Sequence, residues 1–220
     1  IGFDINPVAY LAASVKTHFY TETEVKEIRK LIKNFKPSKF STLKETPKVI
    51  LSSFQNGSLE KLYQLKYFWE NISNNIFVQK FFQLAFLSII EDVSIRTKDG
   101  NGIKLNLKKK KIENIFQYFL TKCNSMVADI EVSNYKEETI FINGSITLEK
   151  YFKQIENRKV GLCVFSPPYA NCFDYCEVYK LEFWLGGFVK TYKDFVKYRS
   201  IAMRSHVNSQ FDHNIKNYQR

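Results

Sequence analysis

Two consecutive prolines, Pro167 and Pro168, stand one residue after the apolar run Val160 to Phe165 (V-G-L-C-V-F). The run is apolar on both faces, as a strand at the centre of a parallel sheet must be. Two prolines then forbid its continuation, because each fixes φ and removes a backbone donor. The sequence predicts a buried strand that ends at Phe165 and passes into a stiff loop, Ser166-Pro167-Pro168-Tyr169. Such a loop offers carbonyl acceptors and one planar aromatic ring. A Pro-Pro pair is also a common turn signal, so these four residues alone point only weakly to function.

A second short apolar run, Ile1 to Ile5, carries an acid, Asp4, at its carboxyl end. Asn6-Pro7 then has the form of a helix start, with Asn as cap and Pro in the first turn. Val8, Leu11, Ala12 and Val15 share one face of that helix. Helices are predicted over 22–35, capped by Thr21 or Thr23, then over 58–72, 76–93 and 112–130. The stretch 36–49 and the turn-rich break 97–102 read as loops. Residues 21–130 are expected to form a helical insertion or lobe without a strand. Beyond Ser133, a strand over 138–143 ends at Asn143-Gly144. A short helix over 148–155, the run 160–165, a helix over 175–184 closed by Gly186-Gly187 and a last helix over 192–203 follow. This rhythm is that of an α/β doubly wound sheet, with the ends at Asp4, Asn143 and Phe165 on one ligand-binding edge.

The 220 residues carry a net charge of +11, and 45% are hydrophobic, so the chain is no disordered polyanion binder. A composition rich in Lys, Ile, Asn, Phe and Tyr also suits an AT-rich genome. Residues 188–220 hold seven Lys or Arg against Asp194 and Asp212, a net +5 that favours phosphate contact. No apolar run is long enough to span a bilayer, and Asp4 interrupts any signal peptide. Four cysteines, at 123, 163, 172 and 176, form no C-x-x-C pair, and there are three histidines. No metal site or disulfide framework is expected, and reduced thiols in a cytoplasmic protein are the default. Cys163 is expected in the core, and Cys172 and Cys176 as inert thiols.

The tetrapeptide Ser166-Pro167-Pro168-Tyr169 resembles motif IV of the DNA amino-methyltransferases. In that family, [Asp/Asn/Ser]-Pro-Pro-[Tyr/Phe/Trp] follows a central strand of an S-adenosylmethionine-binding fold. The longer stretch S-P-P-Y-A-N-C-F-D-Y-C-E-V-Y-K-L-E-F-W-L-G is similar to a branch associated with restriction–modification systems. The opening G-F-D-I-N-P-V-A-Y-L-A-A-S-V-K-T resembles the segment that follows the family's glycine-rich cofactor loop. Both matches occur in the family's order and cover about 40 residues. The glycine-rich loop itself is absent. The chain opens on Ile rather than Met, so it is expected to be a piece of a longer protein that begins at the second strand.

The resemblance implies a Rossmann-like class I methyltransferase sheet, partial and lacking its first strand, with a mainly helical insertion. Residues 1–20 and 131–220 would form the catalytic domain, and 21–130 an insertion involved in target recognition. It implies S-adenosylmethionine as cofactor, double-stranded DNA with a flipped base as substrate, and a cognate restriction endonuclease as a companion. An exocyclic amine of a base is a poor nucleophile, because its lone pair is delocalised into the ring. Acceptors for its two N–H groups favour a more tetrahedral nitrogen. By resemblance these are the Ser166 hydroxyl and the Pro167 carbonyl, with Pro168 stiffening the loop and Tyr169 stacking on the flipped base. Ser at the first motif position leans toward N4 of cytosine. Asp4 would accept from ribose hydroxyls; as a strand-end acid it would equally cap Asn6-Pro7. Asn6, Asn143, Gly144 and Phe165 complete the expected cofactor site. Arg199, Arg204 and His206 are expected at nucleic acid, the last two reading equally as a solvated helix end. An RNA base N-methyltransferase and a non-catalytic nucleic-acid-binding module are the rival readings.

Overall fold

The computed structural model describes residues 1–37, 46–55, 57–99, 102–133, 139–146, 148–153, 155, 160–166 and 174–201. Strand β1 (Gly2–Asp4) leads through Asn6 into α1 (Pro7–Lys16). The Asn6 side chain accepts from the Val8 N–H at 2.9 Å, and Pro7 occupies the first turn, where its missing N–H costs nothing. Helix α2 (Glu22–Lys33) opens on a capping box, Thr21 and Glu24 each accepting the other's backbone N–H. Glu24 also accepts from Asn75 Nδ2 at 3.0 Å and meets His18 Nε2 at 3.2 Å. The His18 ring stacks on Phe77, with centroids 3.5 Å apart. One carboxylate thus ties the start of α2 to the end of α1 and the start of α5 (Ile76–Val93).

Burial alone would raise the Glu24 pKa. Hydrogen bonds from the Thr21 backbone, Asn75, His18 and the Thr21 hydroxyl outweigh it and hold the carboxyl below its ordinary value.

Helix α5 is apolar around most of its circumference and is walled in accordingly. It packs against α1, α2, α4 (Ser58–Asn71), α6 (Ile115–Val132) and α9 (Lys180–Leu185). Phe81, Phe82, Ala85, Phe86 and Ile90 are fully buried. Phe82 meets Phe68 edge-to-face with centroids 5.5 Å apart, and Phe35, Phe68 and Phe119 extend the aromatic cluster. The same core takes in Leu11 and Val15 from α1 and Leu181 and Leu185 from α9. The segments before and after the helical region therefore close one continuous core with it. A short helix, α3 (Lys48–Leu51), precedes α4.

Two strands sit where none was expected. β2 (Arg96–Lys98) and β3 (Ile103–Leu105) form an antiparallel hairpin within the helical region. Strand β4 (Phe141–Asn143) pairs in parallel with β1, in the register Phe3↔Ile142 and Asp4↔Asn143. After α7 (Glu149–Phe152), the run Val160 to Phe165 is not a strand, against expectation. Val164 is 86% exposed and Phe165 79%. A run apolar on both faces needs a hydrogen-bonded neighbour on each side to be a buried strand. Among the described residues none stands beside it, because β1 pairs with β4 alone. Cys163, expected in the core, is exposed for the same reason. The chain closes through α8 (Tyr175–Val178), α9, a turn with Gly187 at φ +78°, and α10 (Tyr192–Ile201). No helix among the described residues is long and apolar enough to cross a membrane.

Phe82→Ala removes a fully buried ring and is expected to cost about 3–5 kcal/mol in urea unfolding. Glu24 gives a pH-dependent counterpart. Its folded pKa lies below the ordinary value near 4.5. The stabilisation is complete above that value and is lost as pH falls through the lowered one. Glu24→Gln is expected to lower the urea midpoint at neutral pH and to flatten its decline into the acid range.

Candidate active site

The carboxyl ends of β1 and β4 lie side by side and expose Asp4 and Asn143 at one edge. Short hydrogen bonds set the edge. Asp4 Oδ1 accepts from the Asn6 N–H at 2.7 Å. Asn143 Nδ2 and the Gly144 N–H each donate to the Asp4 carbonyl at 3.0 Å. The chain around the Asp4 carboxyl desolvates it, although the residue as a whole is exposed. Its pKa is raised in consequence, with the Asn6 N–H pulling the other way. Asp4 thus does cap the turn, through one oxygen. The Asn6 side chain is committed to the α1 cap.

Beside this edge opens a cavity of about 440 Å³, lined among others by Ile5, Asn143, Gly144, Tyr151, Lys197 and Tyr198. Its size suits a small-molecule ligand. The Tyr151 ring lies directly on Gly144, so that a Cβ at 144 would fall inside the ring's van der Waals envelope. Lys150 Nζ sits 4.6 Å from the centroid of the same ring. On the opposite wall, α10 is held by its own capping box. Asp194 Oδ2 accepts from the Thr191 N–H at 2.8 Å and the Lys190 N–H at 3.0 Å, and the Thr191 hydroxyl accepts from the Asp194 N–H. Burial, then the nearby Asp194 carboxylate, pushes the Tyr198 hydroxyl upward. The arrangement offers a carboxylate, amide and backbone polar groups, and two phenol rings. The Tyr151 and Tyr198 rings and the Asn143 amide on this lining suit a ligand with a planar ring, and Asp4 stands at the same strand edge, outside the lining.

Ser166 is exposed at the end of the described run 160–166, and Phe165 is exposed beside it. No described contact joins either to Asp4 or to the cavity. Pro167, Pro168 and Tyr169 lie outside the described residues, as do Arg204, His206 and Cys172. Asp174, eight residues past Ser166, caps α8 by accepting from the Cys176 N–H at 2.9 Å and the Glu177 N–H at 3.1 Å. Arg199 reaches across from α10 to Asp174 Oδ2 at 2.8 Å and to Glu177. Its side chain is 13% exposed. The guanidinium, expected at nucleic acid, is here buried between two carboxylates and joins α10 to the cap of α8. Cys176 is buried, and burial pushes its thiol up to about 12. An inert thiol is what that environment produces.

Sequence reasoning missed Ile5, Tyr151, Lys197 and Tyr198. The pattern Thr191-x-x-Asp194 is a capping signature that locates the start of α10. It carries no information about which face of that helix lines the cavity.

No protein-family model matches the chain, and no solved structure matches it. Among curated proteins it is similar to the Type II methyltransferase M.BsoBI of Geobacillus stearothermophilus, at 23% identity over 214 aligned positions. The alignment covers 83% of this chain and 42% of that protein. The chain thus spans about two fifths of the length of the curated relative it matches.

The packing of Tyr151 on Gly144 is open to a double-mutant cycle. Gly144→Ala forces the ring away and is expected to cost about 1–3 kcal/mol in thermal unfolding. Adding Tyr151→Ala removes the clash, so the double variant should be less destabilised than the two single losses summed.

Proposed function

We propose that this chain carries part of the catalytic centre of an S-adenosylmethionine-dependent DNA amino-methyltransferase of the restriction–modification kind, acting on N4 of cytosine. One conjunction carries the reading. A Ser-Pro-Pro-Tyr sequence follows, in one chain, a parallel strand pair whose carboxyl ends carry Asp4 and Asn143, with Asn143 and Gly144 on the wall of a cavity of about 440 Å³. The similarity to a protein named as a Type II methyltransferase supports it independently. The cofactor supplies a methyl group activated by a sulfonium.

The residues of the chain then divide the work. Asp4 accepts from the ribose hydroxyls, and Asn143 and Gly144 shape the wall for the adenine. The Ser166 hydroxyl and the Pro167 carbonyl accept the two N–H groups of the cytosine amine and draw its lone pair out of the ring. Pro168 stiffens that loop, and Tyr169 stacks on a base flipped out of the duplex. The chemistry is orientation and polar preorganisation, with no covalent enzyme intermediate. The assignment to cytosine rests on Ser at position 166. Double-stranded DNA is the substrate in this reading, and a cognate endonuclease the companion.

The test is to incubate the intact protein with methyl-labelled cofactor and unmethylated duplex DNA, then digest to nucleosides. N4-methylcytosine is expected. N6-methyladenine would keep the enzyme and overturn the base assignment. Label in RNA alone would turn the reading to an RNA base methyltransferase, and DNA binding without transfer to a binding module. Ser166→Ala and Tyr169→Ala are each expected to lower kcat by about 10²-fold or more. Ser166→Ala should leave duplex affinity nearly unchanged.

A further inference from the structure

The β2–β3 hairpin and the turn after it hold the densest run of positive charge in the chain. Residues 96–111 contain seven Lys or Arg (96, 98, 104, 108, 109, 110 and 111) against the single acid Asp99. The structure sorts these seven into two sets. Four are engaged within the protein. Arg96 Nε donates to Ser53 Oγ at 2.7 Å, and Lys98 Nζ to Glu182 Oε1 at 2.5 Å. Lys104 pairs with Asp99. Lys109 Nζ donates to the carbonyls of Glu91 and Arg96, the latter at 2.8 Å. The other three, Lys108, Lys110 and Lys111, are exposed and form no ion pair with any described residue. They share the surface with Leu105 and Leu107, which are 55% and 73% exposed.

This element is rigidly mounted. Its base is fixed by the Ile95 N–H on the Ser53 carbonyl at 2.9 Å and by the Asn106 N–H on the Ile95 carbonyl at 2.8 Å. Lys98 Nζ also lies 4.5 Å from the centroid of the Tyr179 ring. Its tip faces α8, since a Cβ on Gly102 would come within 3.8 Å of the Glu177 Cβ. Helix α8 begins nine residues after Ser166 in the chain. A stiff hairpin, followed directly by a turn whose three lysines form no ion pair with any described residue, therefore stands against the helix that follows the Ser-Pro-Pro-Tyr sequence.

We propose that the turn after β3, residues 106–111, is a DNA-docking surface, in which Lys108, Lys110 and Lys111 grip duplex phosphates while the exposed Leu105 and Leu107 side chains meet apolar groove edges. The inference rests on the methyltransferase reading and assigns the surface that delivers DNA to that site. Lysines position a protein on the duplex through its phosphates, and thymine methyls provide apolar contacts in the major groove. Rigid mounting limits the ordering cost of binding. The internal pairing of the four other cations explains why a run of this charge remains folded. The same mixture of lysine and leucine would suit an anionic membrane surface. The position against α8 favours DNA.

The experiment measures affinity of the intact protein for a short random-sequence duplex across a salt series. The comparison is between the natural sequence and the triple variant Lys108→Ala, Lys110→Ala, Lys111→Ala. The slope of log affinity against log salt is expected to fall in magnitude by about 0.9 per lysine, about 2.7 in all. Affinity at physiological salt should fall on the order of tenfold or more. A second variant with Arg at all three positions should restore the slope, which a folding defect could not do. An unchanged slope in the alanine variant would overturn the proposal. So would unaltered duplex binding combined with loss of binding to phosphatidylcholine–phosphatidylserine vesicles. The readout is equilibrium binding, so it is separable from the reading beneath it. Lysine-dependent DNA binding without methyl transfer would sink the enzyme and keep the docking surface. Methyl transfer with an unchanged slope would do the reverse.

Discussion

Helix α5 is apolar on nearly every side, and eighteen residues of that kind are stable in water only when fully surrounded. The rest of the molecule meets that demand. α4 and α6 cover two sides with Leu62, Leu65 and Phe119, and α2 adds Ile28. The remaining surface is covered by α1 and α9, which come from opposite ends of the sequence. Because both lie against α5, strand β1 at the head of α1 is held in place on the helical core, and so is α9. The candidate site is therefore assembled by a helix that contributes nothing to its chemistry.

Polar groups then lock the joints between these apolar surfaces. The Glu24 carboxylate gathers three helix ends. Lys98 and Glu182 join the hairpin to α9, and Arg199 joins α10 to the cap of α8. Each of these contacts links segments that the core alone would leave free to slide. A buried pair of this kind contributes little net stability when intact and costs much when one partner is removed.

The helical part of this fold was legible because its signals are local. Asn6-Pro7, the threonine cap before 22–35 (Thr21 or Thr23) and the apolar periodicity of 58–72 and 76–93 each act within a few residues, and each marks an element that is present. The β2–β3 hairpin was not legible. Its Asp-Gly-Asn-Gly turn is visible, but strands of three residues are too short for alternation to register. The run 160–165 shows the converse limit. Its composition specifies a doubly covered strand, yet whether a strand forms depends on neighbours that the run does not itself encode. The site divides in the same way. Asp4, Asn143 and Gly144 could be found as strand ends, whereas Tyr151 and Tyr198 reach the cavity only through the docking of α7 and α10. Arg199 looked like a surface cation because nothing in a linear sequence shows two carboxylates folding back onto it.

The parallel pairing of β1 with β4 brings together residues 139 positions apart in the chain. Three residue pairs are a small reward for closing so long a loop, and the entropy of closure must be met before any of them forms. The helices between the two strands shorten that loop by folding first, each from local contacts. Assembly during synthesis would then run in a set order, with β1 waiting as an unpaired apolar segment until the ribosome has delivered β4. For that interval the edge of β1 is open to pairing with any other extended chain. The β1–β4 edge thus comes into being only after the helices between its two strands, and it is among the first parts to be lost when the helical core loosens.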